Sequence, residues 1–329
     1  MLAAGLAWAA TVRSPSEAVA ILDGLLRGTV EEKAAEPKKQ PAAGAEEAPL
    51  FVSNVRLVNL SVSVFDRGGH PVPNLKPEEF EVFEDGAAQK VAVAGSEEVP
   101  FNLALLLDLS GSTIRDRPAM KEAARRFVAI TRPQDRIALY VLADDLFQVL
   151  STLTGDRKRL DELIEEIPDL RGGTPLYPAM VLAYAEEIAS RPRERNALIV
   201  ISDGMDDSLL RQKAAATLYA PFDRLRRGGA VMPALIYPIY LDSRNIFYGE
   251  RARRQMQELA AASGGRLFSA QSIQDLDPVY AQVAEELRSV YTLAYYPKNQ
   301  RFDGRWRRIQ VRVKRAGAQL RTRAGYYAR

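Results

Sequence analysis

Cysteine is absent from the 329 residues, which excludes disulfides, thiolate nucleophiles, zinc ribbons, iron–sulfur ligation and a lipid-modified N-terminal Cys. Histidine occurs once. His70 lies in the turn-like stretch Gly68-Gly69-His70-Pro71, so a scheme that pairs histidine with a distant catalytic partner has no candidate outside that turn, and the residue is expected in a solvent-exposed loop. Zinc, which prefers nitrogen and sulfur, finds almost no ligands here. No apolar run approaches the roughly 18 residues that span a bilayer, so no transmembrane segment is expected. Charge of one sign is missing too: 45 Lys and Arg against 42 Asp and Glu give a net +3, too little to name a partner.

What is present suits a folded chain. With 47% hydrophobic and 26% charged residues the sequence can bury a core, and its length predicts one sizeable α/β domain with a smaller one attached. The opening MLAAGLAWAA resembles the apolar part of a secretory signal without a preceding Lys or Arg, so residues 1–15 read as a truncated leader and the protein as periplasmic or secreted, a cytoplasmic location being the alternative. Residues 16–30 hold one short amphipathic helix over Ser16 to Arg27. Residues 31–49 are Glu, Lys, Ala and Pro with little to bury, a flexible linker.

In residues 50–99, Val58, Leu60, Val62 and Val64 alternate with polar or small residues, and GGHPVPNL turns the chain toward EFEVFEDG and QKVAVAG, an antiparallel β unit. Residues 291–329 repeat the pattern over Tyr291 to Tyr296, Arg307 to Arg315 and Gln319 to Ala324. Three strands alone are marginal, so the two flanks are expected to complete one β-sandwich-like domain around an inserted central one. That centre, residues 100–290, alternates strands and helices and reads as a doubly wound, mostly parallel, Rossmann-like sheet. Its strands are FNLALLLD (101 to 108), RIALYVLA (136 to 143), NALIVISD (196 to 203) and AVMPALIYPIYL (230 to 241), with LFQVLSTL (146 to 153) as an antiparallel edge. Helices are expected near Arg115 to Thr131, Arg157 to Ile167, Leu176 to Ala189, Leu209 to Arg227, Arg251 to Ala262 and Asp277 to Val290.

Asp108, Ser110 and Ser112 follow the first buried strand, where open α/β sheets bind ligands. Taken singly the Asp could equally cap the next helix. Arg171-Gly172-Gly173-Thr174 adds a glycine turn ending in a hydroxyl, and Ile201-Ser202-Asp203-Gly204 ends another strand on a carboxylate. Together Asp108, Ser110, Ser112, Thr174 and Asp203 offer five oxygen donors on three loops, a set suited to a hard cation, Mg²⁺ first and Mn²⁺ or Ca²⁺ next. Asp206 and Asp207 beyond them could join the outer shell of such a site, but read first as solvated acids at a helix start.

The order DLSGST, GGT, ISDG resembles the metal-ion-dependent adhesion site of von Willebrand factor A domains, over roughly Pro100 to Val290. The flanks resemble a bacterial group of related proteins known from acidobacterial genomes. The resemblance implies that Asp108, Ser110 and Ser112 form the first loop of the site, that Thr174 and Asp203 contribute directly or through water, and that an Asp or Glu of a protein partner completes the coordination. One position departs from the pattern: Pro178 stands where an Asp is expected.

Two charged ligands among five leave a divalent cation electrophilic toward an external carboxylate. Hydrolysis would need a general base or a second cation, and neither these loops nor any Gly-rich lysine motif supplies one, so the chain is expected not to be an enzyme. A metal-dependent adhesion module is the leading reading. Its alternatives are a structural subunit of an envelope complex and a helper of a cytoplasmic ATPase machine. From Arg301 onward Asp303 is the only acid among ten basic residues; alternation puts Arg308, Arg312 and Lys314 opposite Ile309, Val311 and Val313, a basic face open to an anionic surface. Nucleic acid is not expected, for no recognised motif accompanies Trp306, Tyr326 and Tyr327. Tyr295, Tyr296 and Phe302 are expected in the core or in strands.

Overall fold

The computed structural model describes residues 57–95, 100–114, 116–143, 146–169, 172–191, 194–204, 206, 226, 232, 234–241, 249–272 and 275–328, with 12–13, 20–21 and 24 ahead of them. The linker expected over residues 31–49 lies outside these, as does all but Arg226 of the helix expected over Leu209 to Arg227. Of the leader only β1 (Val12–Arg13) is described, and of the N-terminal helix residues 20, 21 and 24, which are helical.

The chain continues with β2 (Val58–Phe65), β3 (Phe80–Glu84), β4 (Ala87–Gln89) and β5 (Val91–Gly95), and then enters the central region at β6 (Phe101–Asp108). There follow α1 (Arg117–Ile130), β7 (Arg136–Ala143), β8 (Leu146–Thr154), α2 (Arg157–Glu165), α3 (Leu176–Ala183) and β9 (Arg195–Ser202). After these come β10 (Leu235–Leu241), α4 (Gly249–Ser263), β11 (Phe268–Ala270) and α5 (Leu276–Ser289). The C-terminal strands are β12 (Tyr291–Tyr295), β13 (Trp306–Val313), β14 (Gln319–Arg321) and β15 (Gly325–Tyr327).

β6 explains the central layer order. Every residue of FNLALLLD is buried, as a strand covered on both faces requires. Leu103, Leu105 and Leu107 face a core shared with Met120 and Phe127 of α1, Leu160 of α2 and Tyr280 of α5, while Ala104 and Leu106 face Leu176 and Val181 of α3 and Leu259 of α4. The sheet runs β1-β8-β7-β6-β9-β10-β11; β7, β6, β9, β10 and β11 run parallel to one another, and β8 is antiparallel to β7. The sequence places β8 at the edge, but Val12 and Arg13 pair with Gln148 and Phe147 outside it, covering backbone groups that an edge would expose. The strand expected from Ala230 begins at Leu235. The helix expected to Ala189 passes after Ala183 into a π-helical turn, Tyr184–Ile188.

The flanks form two four-stranded sheets, β14-β2-β12-β5 and β15-β13-β3-β4, each mixing strands from both ends of the chain. Val58, Leu60, Val62 and Val64 of β2 meet Phe80, Val82, Tyr291, Leu293, Ile309 and Val311 between them, the interdigitation expected of a sandwich. The basic face on β13 is as the alternation predicts: Ile309 and Val311 are buried, Arg308 and Arg312 exposed. Tyr295 is buried, whereas Tyr296 and Phe302 are exposed, because the chain leaves the sheet at Tyr295 and turns through a loop before β13.

Sandwich and central sheet meet at a buried carboxylate. Glu286 of α5 is 2% exposed and accepts from Nη2 of Arg321 on β14 at 2.6 Å, while Nε of Arg266 lies 3.1 Å from its other oxygen. Arg321 stacks on Phe65 and Arg266 on Phe268, each about 4.2 Å from the ring centroid. Arg195, at the start of β9, donates to the carbonyls of Leu287 and Val290 where α5 hands over to β12.

Candidate metal centre

β6 goes on to β7 on one side, and β9 lies on its other side, so the strand order reverses between β6 and β9, where open sheets leave a crevice at their carboxyl ends. Asp108 is the last residue of β6 and is fully buried. The chain then turns through a 3-10 segment, Gly111–Thr113, before α1. Thr113 fixes this turn, its hydroxyl lying 3.0 Å from the carbonyl of Asp108 and 3.1 Å from that of Ser110. Arg117, buried at the start of α1, donates to the same Ser110 carbonyl at 2.9 Å.

The second loop is stitched to the first through backbone: Gly111 N donates to Gly172 O at 2.9 Å. Gly172 has φ +89°, a conformation that favours glycine. Thr174 thereby reaches Asp108, donating from Oγ1 to Oδ1 at 2.8 Å, and Ser110 N donates to the same oxygen at 3.1 Å. The third loop follows β9. Ser202 Oγ donates to the other oxygen of Asp108 at 2.5 Å and accepts from Gly204 N at 2.9 Å. Gly204 has φ +74° and sits so close to α4 that a Cβ would come within 2.7 Å of Met256 Sδ.

Of the five residues expected in the site, the structure gathers Asp108, Ser110, Thr174 and Asp203 at this crevice, all buried. The backbone of Ser112 lies in the 3-10 turn, and its side chain is outside the described residues. Burial first, and the neighbouring Asp203 carboxylate second, push the carboxyl of Asp108 up to about 6, against the pull of hydrogen bonds from Ser202, Ser110 and Thr174. Two carboxylates in one dry crevice repel each other, and a cation between them removes that penalty. The donors are carboxylates and hydroxyls, the chemistry of a hard-cation site, so the residues fit a divalent ion. Among the described residues no cluster of three or more His, Cys, Asp or Glu forms; the set depends on hydroxyls.

Two further residues support this crevice beyond the five expected in it. Ser202 is one; a hydroxyl just before the strand-terminal carboxylate was its only signal. The other corrects an expectation. Asp206 is not a solvated acid: it is 5% exposed and accepts from Tyr177 N at 2.8 Å in the first turn of α3. Asp207 lies outside the described residues. Pro178 occupies the same first turn, where a missing N–H costs nothing, so Asp206 secures the helix that carries Thr174 at its head.

Residues 103–205 match the family model described as von Willebrand factor type A domain. Among solved structures, the chain is similar to the vWF domain of the type V pili tip protein Mfa5 from Porphyromonas gingivalis, with 14% identity over 57% of this chain and 94% of that one and a TM-score of 0.46. A von Willebrand factor type A structure from Catenulispora acidiphila shares 12% identity over 84% of this chain and 76% of that one, TM-score 0.47. Proximal thread matrix protein 1 from the mussel byssus, with a zinc-occupied MIDAS motif, shares 15% identity over 62% and 50%, TM-score 0.43. No curated protein matches the chain.

Proposed function

From the premise that this chain contains a von Willebrand factor type A domain, we propose that it is a cation-dependent protein-binding module of adhesion type, not an enzyme, acting outside the cytoplasm. Asp108, Ser110, Ser112, Thr174 and Asp203 hold a divalent ion, Mg²⁺ in the first place and Mn²⁺ or Ca²⁺ in its stead. The observation that carries this reading is the placement of Asp108: fully buried at the switch point, beside Asp203, with Thr174 and Ser110 on one oxygen.

A divalent ion held by these residues would supply an electrophile for an incoming oxygen. Two carboxylates cancel its charge only on paper, since burial and hydroxyl ligands leave it attractive to a third, and an Asp or Glu of the partner protein is the natural occupant. Gly111, Gly172 and Ile114 on the same loops are exposed and form the rim that the partner crosses. Binding is favoured over hydrolysis because the next carboxylate along, Asp206, is already engaged with the Tyr177 N–H and is not placed as a general base.

Titration calorimetry with Mg²⁺, Mn²⁺ and Ca²⁺ on the wild type and on Asp108→Ala tests the site. Heat and saturation are expected for the wild type and neither for the variant; a silent wild type sinks the assignment. Pull-down of envelope proteins with and without chelator tests the use. A partner that survives both chelation and Asp108→Ala means that the domain serves as an assembly scaffold instead.

A further inference from the structure

The outer face of the β15-β13-β3-β4 sheet points away from the sandwich core and combines aromatic rings with arginines. Register fixes its members: Trp306 lies opposite Tyr327, Arg308 opposite Gly325, Gln310 opposite Phe83 and Arg312 opposite Glu81. The Trp306 indole lies across Gly325, where a Cβ would come within 2.5 Å of Cζ2 and 2.6 Å of Cε2. The ring therefore rests on the strand at Gly325 while the residue keeps 37% exposure. Tyr327 meets it edge-on, centroids 5.1 Å apart at 70°, while Arg312 covers Phe83 at 4.9 Å. Covering a strand glycine with an aromatic ring is itself a stabilising device, but it needs no arginines around the ring.

Arg308 and Arg312 are exposed, and among the described residues their guanidinium groups form no ion pair: Glu81, opposite Arg312, pairs with Lys314 at 3.4 Å, and Asp85, beside Arg308, accepts from the Arg308 backbone N–H at 2.8 Å and lies 4.0 Å from Nε of Arg307. Four residues of extended strand separate the Cα atoms of Arg308 and Arg312 by about 13 Å along β13. A planar guanidinium binds carboxylate, sulfate or phosphate in a fork.

We propose that this face binds an acidic polysaccharide, one sugar ring packing on the exposed part of the Trp306 indole while Arg308 and Arg312 take anionic groups of the rings along β13. Trp306 is the one exposed aromatic residue of this face among the described residues. A protein partner instead needs a pocket for a buried anchor, and a single nucleic-acid strand needs successive aromatic platforms for its bases. This site is separate from the Asp108 centre and needs no cation.

Affinity electrophoresis or calorimetry of the full chain in chelator tests it, with polygalacturonate as the probe and a neutral glucan, polyglutamate and oligothymidylate beside it. Binding to polygalacturonate is expected to exceed binding to all three and to fall with salt. Trp306→Ala is expected to weaken it about tenfold, the order of one aromatic stacking contact, Trp306→Tyr to retain most of it, and Arg308→Gln with Arg312→Gln to abolish it, all with Asp108→Ala unaffected. If Trp306→Ala impairs folding, the Tyr variant and the arginine pair carry the test. The proposal is overturned if polygalacturonate is not bound, if polyglutamate binds equally with the Trp306 variants indifferent, or if oligothymidylate binds more tightly.

Discussion

At the scale of single residues, Asp108 keeps a carboxyl fully buried beside that of Asp203, an arrangement that costs stability until an opposite charge compensates it, as the proposed cation would. Asp108→Asn is therefore expected to leave the melting temperature in chelator equal to or above the wild type, because one of two buried, mutually repelling charges is gone. The same variant should lose the rise that saturating Mg²⁺ gives the wild type, about 2.7 kcal/mol at a hundredfold excess over Kd. A parallel Mg²⁺-dependent rise in both proteins would refute the assignment. Ser202→Ala removes one donor to Asp108 and one acceptor for Gly204 N. Denaturant unfolding should show a loss of about 1–2 kcal/mol, and calorimetry a weaker cation site. That Asp108, Ser110, Thr174 and Asp203 come together was legible in the sequence, because Asp108 and Asp203 close apolar strand runs, Ser110 follows at once and Thr174 ends a glycine turn. Ser202 was not, since only the pairing of β6 with β9 turns an ordinary strand serine toward Asp108.

Elements position these groups. α3 carries Thr174 just ahead of its first turn, and Asp206, reached from the far end of β9, holds that turn. Asp206→Ala leaves the buried N–H of Tyr177 without its acceptor, a loss of about 1–3 kcal/mol, and should weaken cation binding by about 10- to 100-fold as supports of metal ligands do; an unchanged cation affinity would separate α3 from the site. The sequence left an outer-shell place open to Asp206 but favoured a solvated acid, because its neighbour is acidic and a helix start was expected there. Its burial depends on α3 packing over it, a long-range event that no local pattern records. Long, apolar, two-faced strands such as β6 were read to the residue. β11 and β15 were missed, because three residues are too few to display a period of two.

At the scale of the whole molecule, the Arg266–Glu286–Arg321 cluster joins the two layers. Replacing Glu286 with Leu leaves two arginines facing each other across an apolar joint. The expected cost in urea unfolding is about 2–3 kcal/mol, below that of a fully buried pair because the arginines keep 31% and 28% exposure; no change in midpoint would mean that packing alone holds the layers. Alkaline pH probes the core as well. Burial raises the hydroxyls of Tyr140, Tyr177, Tyr237 and Tyr280 far above the ordinary tyrosine range. Their folded values exceed the unfolded one of about 10, so the stability they contribute is complete below it and drains away above it. Phenolate absorbance should accordingly step upward together with the loss of circular dichroism; ionisation of these four in a still-folded protein would contradict the packing. The interlacing of the two ends also sets a timetable for synthesis. Leu60 of β2 pairs with Leu293 of β12, 233 residues further on, and at about 5–20 residues per second a ribosome takes about 10–50 s to deliver the partner. The central α/β domain can finish folding during that wait, while the strand that will anchor it stays open to chaperones.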